Sequence, residues 1–483
     1  MKMQMRDFLH EANFVAGSWI QADSGKRMDV TNKADHSVIG QIPFSGAQET
    51  KRAIDAAHDA FASFSKLTAG ERAGMLRSLA NVIRTHADAL AELLTTEQGK
   101  PFAEAKGEVM IGAAYIQWFA EEARRVYGET IPSPWADRRM LVVREPIGVF
   151  AAITPWNFPF SMLARKVGAG LAAGCTCVVK PSEFTPYCGL VWAHLAQMAG
   201  IPDGVINIVT GDAPAIGEEM TSNQKVRKIT FTGSTRVGKL LAERAGASMK
   251  RFSMELGGNA PFIVFDDADL DAAVEGAMAA KYRNAGQTCV CTNRFYVQRG
   301  IYDAFAEKMA EKVAGLKVAP GMEEGAMQGP LINEAAIAKV EDHIADALAK
   351  GGSLKIGGQR HELGGNFFAP TLITGGHQEM KVAREETFGP LSVLIPFDHE
   401  DEAIAMANDT EYGLAAYFYT RDLGRTFRVG AALEYGMIGI NAGIITTEVA
   451  PFGGVKDSGQ GREGGRQGLD DYLNVKYLSI AGI

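Results

Sequence analysis

The sequence predicts an α/β protein: a doubly wound parallel sheet followed by a second α/β domain. Three observations carry this. Between residues 147 and 265, short apolar runs alternate with amphipathic stretches, strand then helix. Residues 266–430 repeat the alternation at a different spacing. And 483 residues exceed one core, since a domain takes ~150 residues. Short apolar strands separated by helices build parallel sheets, which bind ligands beyond the carboxyl ends of their strands.

In chain order, residues 8–45 alternate strand-like runs with turn residues and form a β-rich leader. Apolar residues at three- and four-residue spacing then predict helices over Glu49–Phe64, Ala69–Thr95 and Pro101–Arg125. A charged β-like segment, 126–146, contains Arg139-Met-Leu-Val-Val-Arg144 and is ended by Pro146. Strands are predicted over Gly148–Ile153, Cys175–Val179, Val205–Val209, Lys228–Thr232 and Arg251–Glu255. Helices near 160–173, 186–199, 213–221 and 234–245 separate them. The last stretch, 431–483, is glycine-rich and then alternates as an edge strand, Asp471-Tyr-Leu-Asn-Val-Lys-Tyr-Leu-Ser479.

Composition bounds the function. Hydrophobic residues at 46% and charged residues at 22% suit a soluble globular enzyme. A net charge of −8 argues against general nucleic-acid binding, which needs a basic face. Five cysteines (175, 177, 188, 289, 291) are too few and too clustered for a disulfide framework. No CxxC, HExxH or Cys/His cluster has metal spacing, so no metal is expected. The longest near-apolar segment, Val167–Val179, has 13 residues and three glycines, against ~20 for a membrane span. The N-terminal residues lack a signal-peptide pattern. The expectation is a cytoplasmic protein.

Chemistry concentrates in Asn284-Ala-Gly-Gln-Thr-Cys289-Val-Cys291-Thr-Asn-Arg294, where Cys289 sits in a tight turn as a candidate nucleophile. No GxGxxG follows a predicted strand. Instead Phe231-Thr-Gly-Ser-Thr-Arg-Val-Gly238 ends a strand and opens a helix, whose N-terminus could hold a phosphate or could simply be capped by Ser234 or Thr235. Lys180-Pro-Ser-Glu183, just past a strand, could hold ribose hydroxyls or be a solvated loop.

Seven motifs extend this reading. They are Thr154-Pro-Trp-Asn-Phe-Pro159, Lys180-Pro-Ser-Glu183, Phe231-Thr-Gly-Ser-Thr235, Glu255-Leu-Gly-Gly-Asn-Ala-Pro261, Gly286-Gln-Thr-Cys289, Glu385-Glu-Thr-Phe-Gly-Pro390 and Pro451-Phe-Gly-Gly454. Together, in this order and over nearly the whole chain, they resemble the aldehyde dehydrogenase superfamily. Arg283-Asn-Ala-Gly-Gln-Thr-Cys-Val-Cys291, Arg165-Lys-Val-Gly-Ala-Gly170 and Asn366-Phe-Phe-Ala-Pro370 bring it nearest to the succinate-semialdehyde dehydrogenases.

The resemblance implies a Rossmann-like NAD(P)-binding domain (1–125 and 147–256), an α/β catalytic domain (257–457) and a small β oligomerisation arm (126–146 and 458–483). It implies a homodimer or homotetramer. Cys289 would form a thiohemiacetal, with Asn157 and the Cys289 backbone N–H holding the oxyanion and Glu255 activating water. Acylating relatives lack that glutamate, so hydrolysis is expected. Ile153, Trp156, Asn157, Lys180, Glu183, Gly233, Ser234, Leu256, Glu386 and Phe388 would surround the dinucleotide. Glu183 favours NAD, because a carboxylate accepts ribose hydroxyls and repels a 2′-phosphate. Lys180 keeps NADP possible.

The resemblance also assigns Arg165 and Arg283 to the substrate's ω-carboxylate, with a hydroxyl from Thr446. The alternatives are a helix-surface charge beside Lys166 for Arg165 and a structural ion pair for Arg283. Cys291 is a redox candidate that could pair with Cys289; otherwise it is a small apolar residue lining the pocket. The expected reaction is oxidation of succinate semialdehyde or its glutarate homologue. Alternatives are a broad-specificity aldehyde dehydrogenase and a non-catalytic binding or structural protein on the same fold.

Overall fold

The computed structural model describes residues 3–483. Two antiparallel hairpins open the chain: Asn13–Val15 (β1) with Ser18–Ile20 (β2), then Arg27–Thr31 (β3) with Val38–Pro43 (β4). Four helices follow, Ala47–Phe64 (α1), Ala69–Thr85 (α2), Ala87–Gln98 (α3) and Phe102–Glu122 (α4). The single helix expected over 69–95 is two, because the chain leaves the helical well at His86, with φ −108° and ψ 16°. Glu129–Ile131 (β5) and Arg138–Pro146 (β6) come next.

The first large sheet is built from Val149–Ile153 (β7), Thr176–Lys180 (β8), Ile206–Ile208 (β9), Val226–Thr232 (β10) and Arg251–Glu255 (β11). Ser161–Ala173 (α5), Tyr187–Ala199 (α6), Ala213–Ser222 (α7) and Thr235–Gly246 (α8) connect them. They pair in parallel in the order β9-β8-β7-β10-β11, with β1 and β2 added antiparallel at one edge. The winding direction reverses between β7 and β10, so the carboxyl ends of these two strands flank a ligand-binding crevice. Helix α5 is buried on every side. Glycine permits this: a Cβ at Gly170 would stand 2.1 Å from the Phe150 ring.

The second sheet begins with Ala260–Val264 (β12), followed by Leu270–Lys281 (α9) and Thr292–Gln298 (β13). Ser353–Ile356 (β14), Thr371–Thr374 (β15), Leu391–Phe397 (β16), the short Tyr412–Gly413 (β17), Ala415–Tyr419 (β18) and Met437–Ile440 (β19) follow. The sheet order is β14-β15-β16-β13-β12-β18-β19, parallel except for β14. β17 lies outside it, paired with Val455–Lys456 (β20).

The C-terminal stretch expected to pair subunits, 458–483, divides. Gly459–Gln460 (β21) joins the first sheet antiparallel to β11. Leu473–Ala481 (β22) pairs with β6 over nine residues, and β5 completes a three-stranded arm. The core follows the sheets, with one cluster beneath α2–α6 and others flanking β12, β13 and β16. Among the described residues, no helix is long and apolar enough to cross a membrane, and no three His, Cys, Asp or Glu side chains form a metal-holding group.

Candidate active site

Cys289 lies in the loop between α9 and β13. The chain reaches it through three successive left-handed residues, Asn284 (φ 53°), Ala285 (φ 53°) and Gly286 (φ 76°). Two of these are not glycine, a strained backbone that persists only where surroundings over-determine it. Gly258 lets the start of the second sheet approach from behind, since a Cβ there would stand 2.6 Å from the Cys289 carbonyl oxygen. Cys289 is half-buried. Burial pushes its thiol up to about 12, with the Glu386 and Glu255 carboxylates adding to the shift and Arg165 opposing it.

Glu255 closes β11 at 2% exposure, and neither carboxylate oxygen has a hydrogen-bond partner. Burial raises it well above the usual carboxylate range and Glu463 adds to that, against Lys166, Arg165 and Arg462. The chain packs tightly here: a Cβ at Gly453 would stand 2.7 Å from Glu255 Oε1. Lys166 Nζ donates to Glu463 and to Thr232 Oγ1 (2.7 Å). Glu255 therefore faces a neutralised pair rather than a free charge.

Asn157 follows β7. Its Nδ2 donates to the Gln287 carbonyl (3.1 Å) and its Oδ1 accepts from the Phe158 N–H (3.1 Å). These two bonds fix the amide plane and leave one N–H uncommitted.

Two cavities meet at Cys289. The first, about 300 Å³, is lined among others by Phe158, Met162, Arg165, Arg283, Thr446 and Phe452. The second, about 210 Å³, opens at the β7/β10 crevice and is lined by Trp156, Asn157, Gly233, Ser234, Glu255, Leu256, Glu386 and Phe388.

The second cavity has groups that could hold one end of a dinucleotide, with the rest running along the carboxyl edge of the sheet. Ser234 Oγ caps α8 by accepting from Val237 N–H (3.4 Å), so the helix N-terminus faces the crevice. The Trp156 and Phe388 rings meet edge to face at 5.5 Å. Glu386 accepts from Gly258 N–H (3.2 Å) and burial pushes its carboxyl up to about 7. Ile153 and Lys180 end β7 and β8, and Lys180 Nζ pairs with Glu183 at 2.8 Å. These three residues stand outside the cavity lining, along the same carboxyl edge.

Arg165 is not a surface charge. It is 4% exposed on the all-buried α5, between the rings of Tyr115 (4.9 Å) and Phe452 (4.2 Å). Its Nη1 is 3.8 Å from Glu463, and its Nε and Nη1 make no hydrogen bond. Arg283 is half-buried, with its Nε also unpartnered. Cys291 does not line either cavity; its Sγ donates to the Lys281 carbonyl (2.8 Å). Glu463 and the cavity-lining Glu108 carry no local pattern, and their partners lie far away in the chain; Lys166 and Phe452 fall inside the sequence motifs, which assign them no role.

A thiol standing between two cavities, at the carboxyl edge of a doubly wound sheet, is the arrangement of an oxidoreductase class: the chain belongs to the aldehyde dehydrogenase family, whose model matches residues 19–478. Among similar proteins is the succinate-semialdehyde dehydrogenase [NADP(+)] of Escherichia coli K12, 56% identical over 480 residues, covering 99% of this chain and all of that one. The glutarate-semialdehyde dehydrogenase of Pseudomonas aeruginosa PAO1 is 55% identical, with full coverage of both chains. A crystal structure of succinate-semialdehyde dehydrogenase from Burkholderia pseudomallei superposes with a TM-score of 0.98 at 59% identity, covering 98% of each chain.

Proposed function

We propose that the chain oxidises an ω-carboxylated semialdehyde, succinate semialdehyde or its one-carbon-longer glutarate homologue, to the dicarboxylate. The carrying observation is that two arginines with unpartnered N–H donors line the cavity that ends at Cys289. Buried donors without partners are costly and are satisfied by a carboxylate with a geometry suited to the guanidinium fork. One methylene changes affinity only ~10–200-fold, so both chain lengths belong to the proposal.

The thiol of Cys289 loses its proton to the unpartnered Glu255 carboxylate and adds to the aldehyde carbonyl. The oxyanion of the thiohemiacetal accepts from the free Asn157 amide hydrogen and the Cys289 backbone N–H. A bound nicotinamide dinucleotide supplies the acceptor for the hydride that leaves this carbon. Glu255 releases that proton to solvent, then takes a proton from the water that attacks the thioester and passes it to the departing Cys289 sulfur, so that the acid leaves and the thiol is restored. Burial holds the Glu255 pKa well above the usual carboxylate range, so the ionised base becomes more abundant, and turnover rises, as pH rises.

Glu183, ionised and positioned by Lys180 at 2.8 Å, supports NAD over NADP, with dual use through Lys180. The three-stranded arm, with exposed Val475, Tyr477 and Ile480, supports a homodimer or homotetramer. Five free thiols support a cytoplasmic setting. The test is a kcat/KM panel over C4 and C5 semialdehydes and neutral aldehydes, each with NAD and NADP. Equal use of neutral aldehydes would favour the broad-specificity reading, and no reduced cofactor with any aldehyde would favour a non-catalytic protein.

A further inference from the structure

Outside the residues assigned to chemistry, one buried cation is bonded directly to the backbone of a site residue. Lys100 is 1% exposed and follows α3. Its Nζ donates to Glu108 Oε2 (2.7 Å) and to the backbone carbonyl of Asn157 (2.7 Å). That carbonyl has a second donor, Asn284 Nδ2 at 3.0 Å. A carbonyl oxygen has two lone pairs, and both are taken. The Asn157–Phe158 peptide is thus held from its carbonyl side.

The same peptide controls the Asn157 side chain, because its N–H, on Phe158, donates to Asn157 Oδ1. The other contact of that amide is the Gln287 carbonyl, and Asn284 Nδ2 bonds this carbonyl as well, at 3.2 Å. Asn284 is itself fixed by Gln98 Nε2 (3.1 Å) on its Oδ1 and by Glu104 Oε2 (2.8 Å) on its N–H. Glu108, the counter-ion of Lys100, uses its other oxygen to accept from Phe160 and Ser161 N–H (2.9 and 3.1 Å), the start of the helix that carries Arg165. A buried ion pair is not by itself a stabilising device. This one is joined to the backbone on which two site residues stand.

We infer that Lys100, with Asn284, is a positioning residue that aims the free amide hydrogen of Asn157 at the oxyanion, by locking the Asn157–Phe158 peptide. The inference rests on the reading of Asn157 as the oxyanion donor. An error of about 1 Å in such a contact costs on the order of 10²-fold in rate.

The test is a double-mutant cycle on the full-length enzyme: Lys100→Met, Asn284→Gly, Asn157→Ala, and each of the first two combined with Asn157→Ala. Glycine at 284 keeps the left-handed backbone accessible and removes only the amide, so it carries the test if Lys100→Met fails to fold. Asn157→Ala is expected to lower kcat by ~10²–10³-fold. Lys100→Met and Asn284→Gly are expected to lower it by ~10–10²-fold, with KM for the aldehyde little changed. In the Asn157→Ala background the same substitutions should cost no more than ~2-fold further. Losses that multiply across the cycle, or a lowered Tm with kcat retained, overturn the inference while leaving the role of Asn157 intact. If Asn157→Ala alone retains kcat, the oxyanion reading fails and the inference with it.

Discussion

Replacing Arg165 with methionine separates carboxylate recognition from the chemistry at Cys289. Methionine fills much of the slot between Tyr115 and Phe452, whose rings lie 4.9 and 4.2 Å from the guanidinium carbon. Glu463 keeps its short bond to Lys166, and the loss of the Arg165 charge beside Cys289 and Glu255 weighs on both substrates alike. What is lost is a cation whose Nε and Nη1 face the pocket without partners. A hydrogen bond between charged groups contributes about 1.5–3 kcal/mol, a factor of ~10–150 in kcat/KM. The assay is kcat/KM for succinate semialdehyde beside butanal at saturating cofactor. The semialdehyde should lose ~10–150-fold and butanal much less. Equal losses on both substrates would mean that Arg165 acts on Cys289 or Glu255 instead, and no loss on the semialdehyde would refute its role in recognition.

Other substitutions probe separate parts of the account. Glu183→Ser should raise the NADP-to-NAD ratio of kcat/KM by at least ~10-fold, since it removes a like charge opposite the 2′-phosphate; an unchanged ratio counts against the ribose contact. After peroxide treatment the parent should lose activity and regain it with thiol, whereas Cys291→Ala should not be rescued. Because Cys291 Sγ is bonded to the Lys281 carbonyl, the loop must move first. If Cys291→Ala is inactivated and rescued like the parent, the switch is excluded. His10 stacks on Trp19 and shares a 2.6 Å bond with His194; burial, reinforced by His194, pulls it from 6.5 to about 4. The unfolded chain therefore binds more protons between these values, so this contribution to stability is complete above pH 6.5 and declines as pH falls towards 4. His10→Gln should flatten that part of the Tm–pH curve, and an unchanged slope would refute it.

Local chemistry made much of this legible. The strand alternation of 147–255 and the Gly-Ser turn after Thr232 are nearest-neighbour features, and β11 spans Arg251–Glu255 as expected. Cys289 follows Gly286, Glu255 precedes Gly257-Gly258 and Asn157 lies between Pro155 and Pro159, punctuation that is read from sequence. What escaped are contacts between distant segments. Lys166 meets Glu463 across 297 positions, and Lys100 meets the Asn157 carbonyl across 57. Polar side chains inside a helical pattern look like a solvated face until the helix is known to be buried all round, as α5 is. The break at His86 was missed for a simpler reason: no glycine or proline marks it.

The central claim is covalent catalysis by Cys289 on a semialdehyde. Glu255→Gln removes the base that hydrolyses the thioester while keeping the site's shape. Mixed with succinate semialdehyde and NAD at a pH raised to ionise the Cys289 thiol directly, then acid-quenched within the first turnover and digested, this variant should carry one succinyl group on the Cys289 peptide, alongside one equivalent of reduced cofactor per active site. An unmodified Cys289 peptide with reduced cofactor still formed, or a succinyl group on Cys291 instead, would contradict the account.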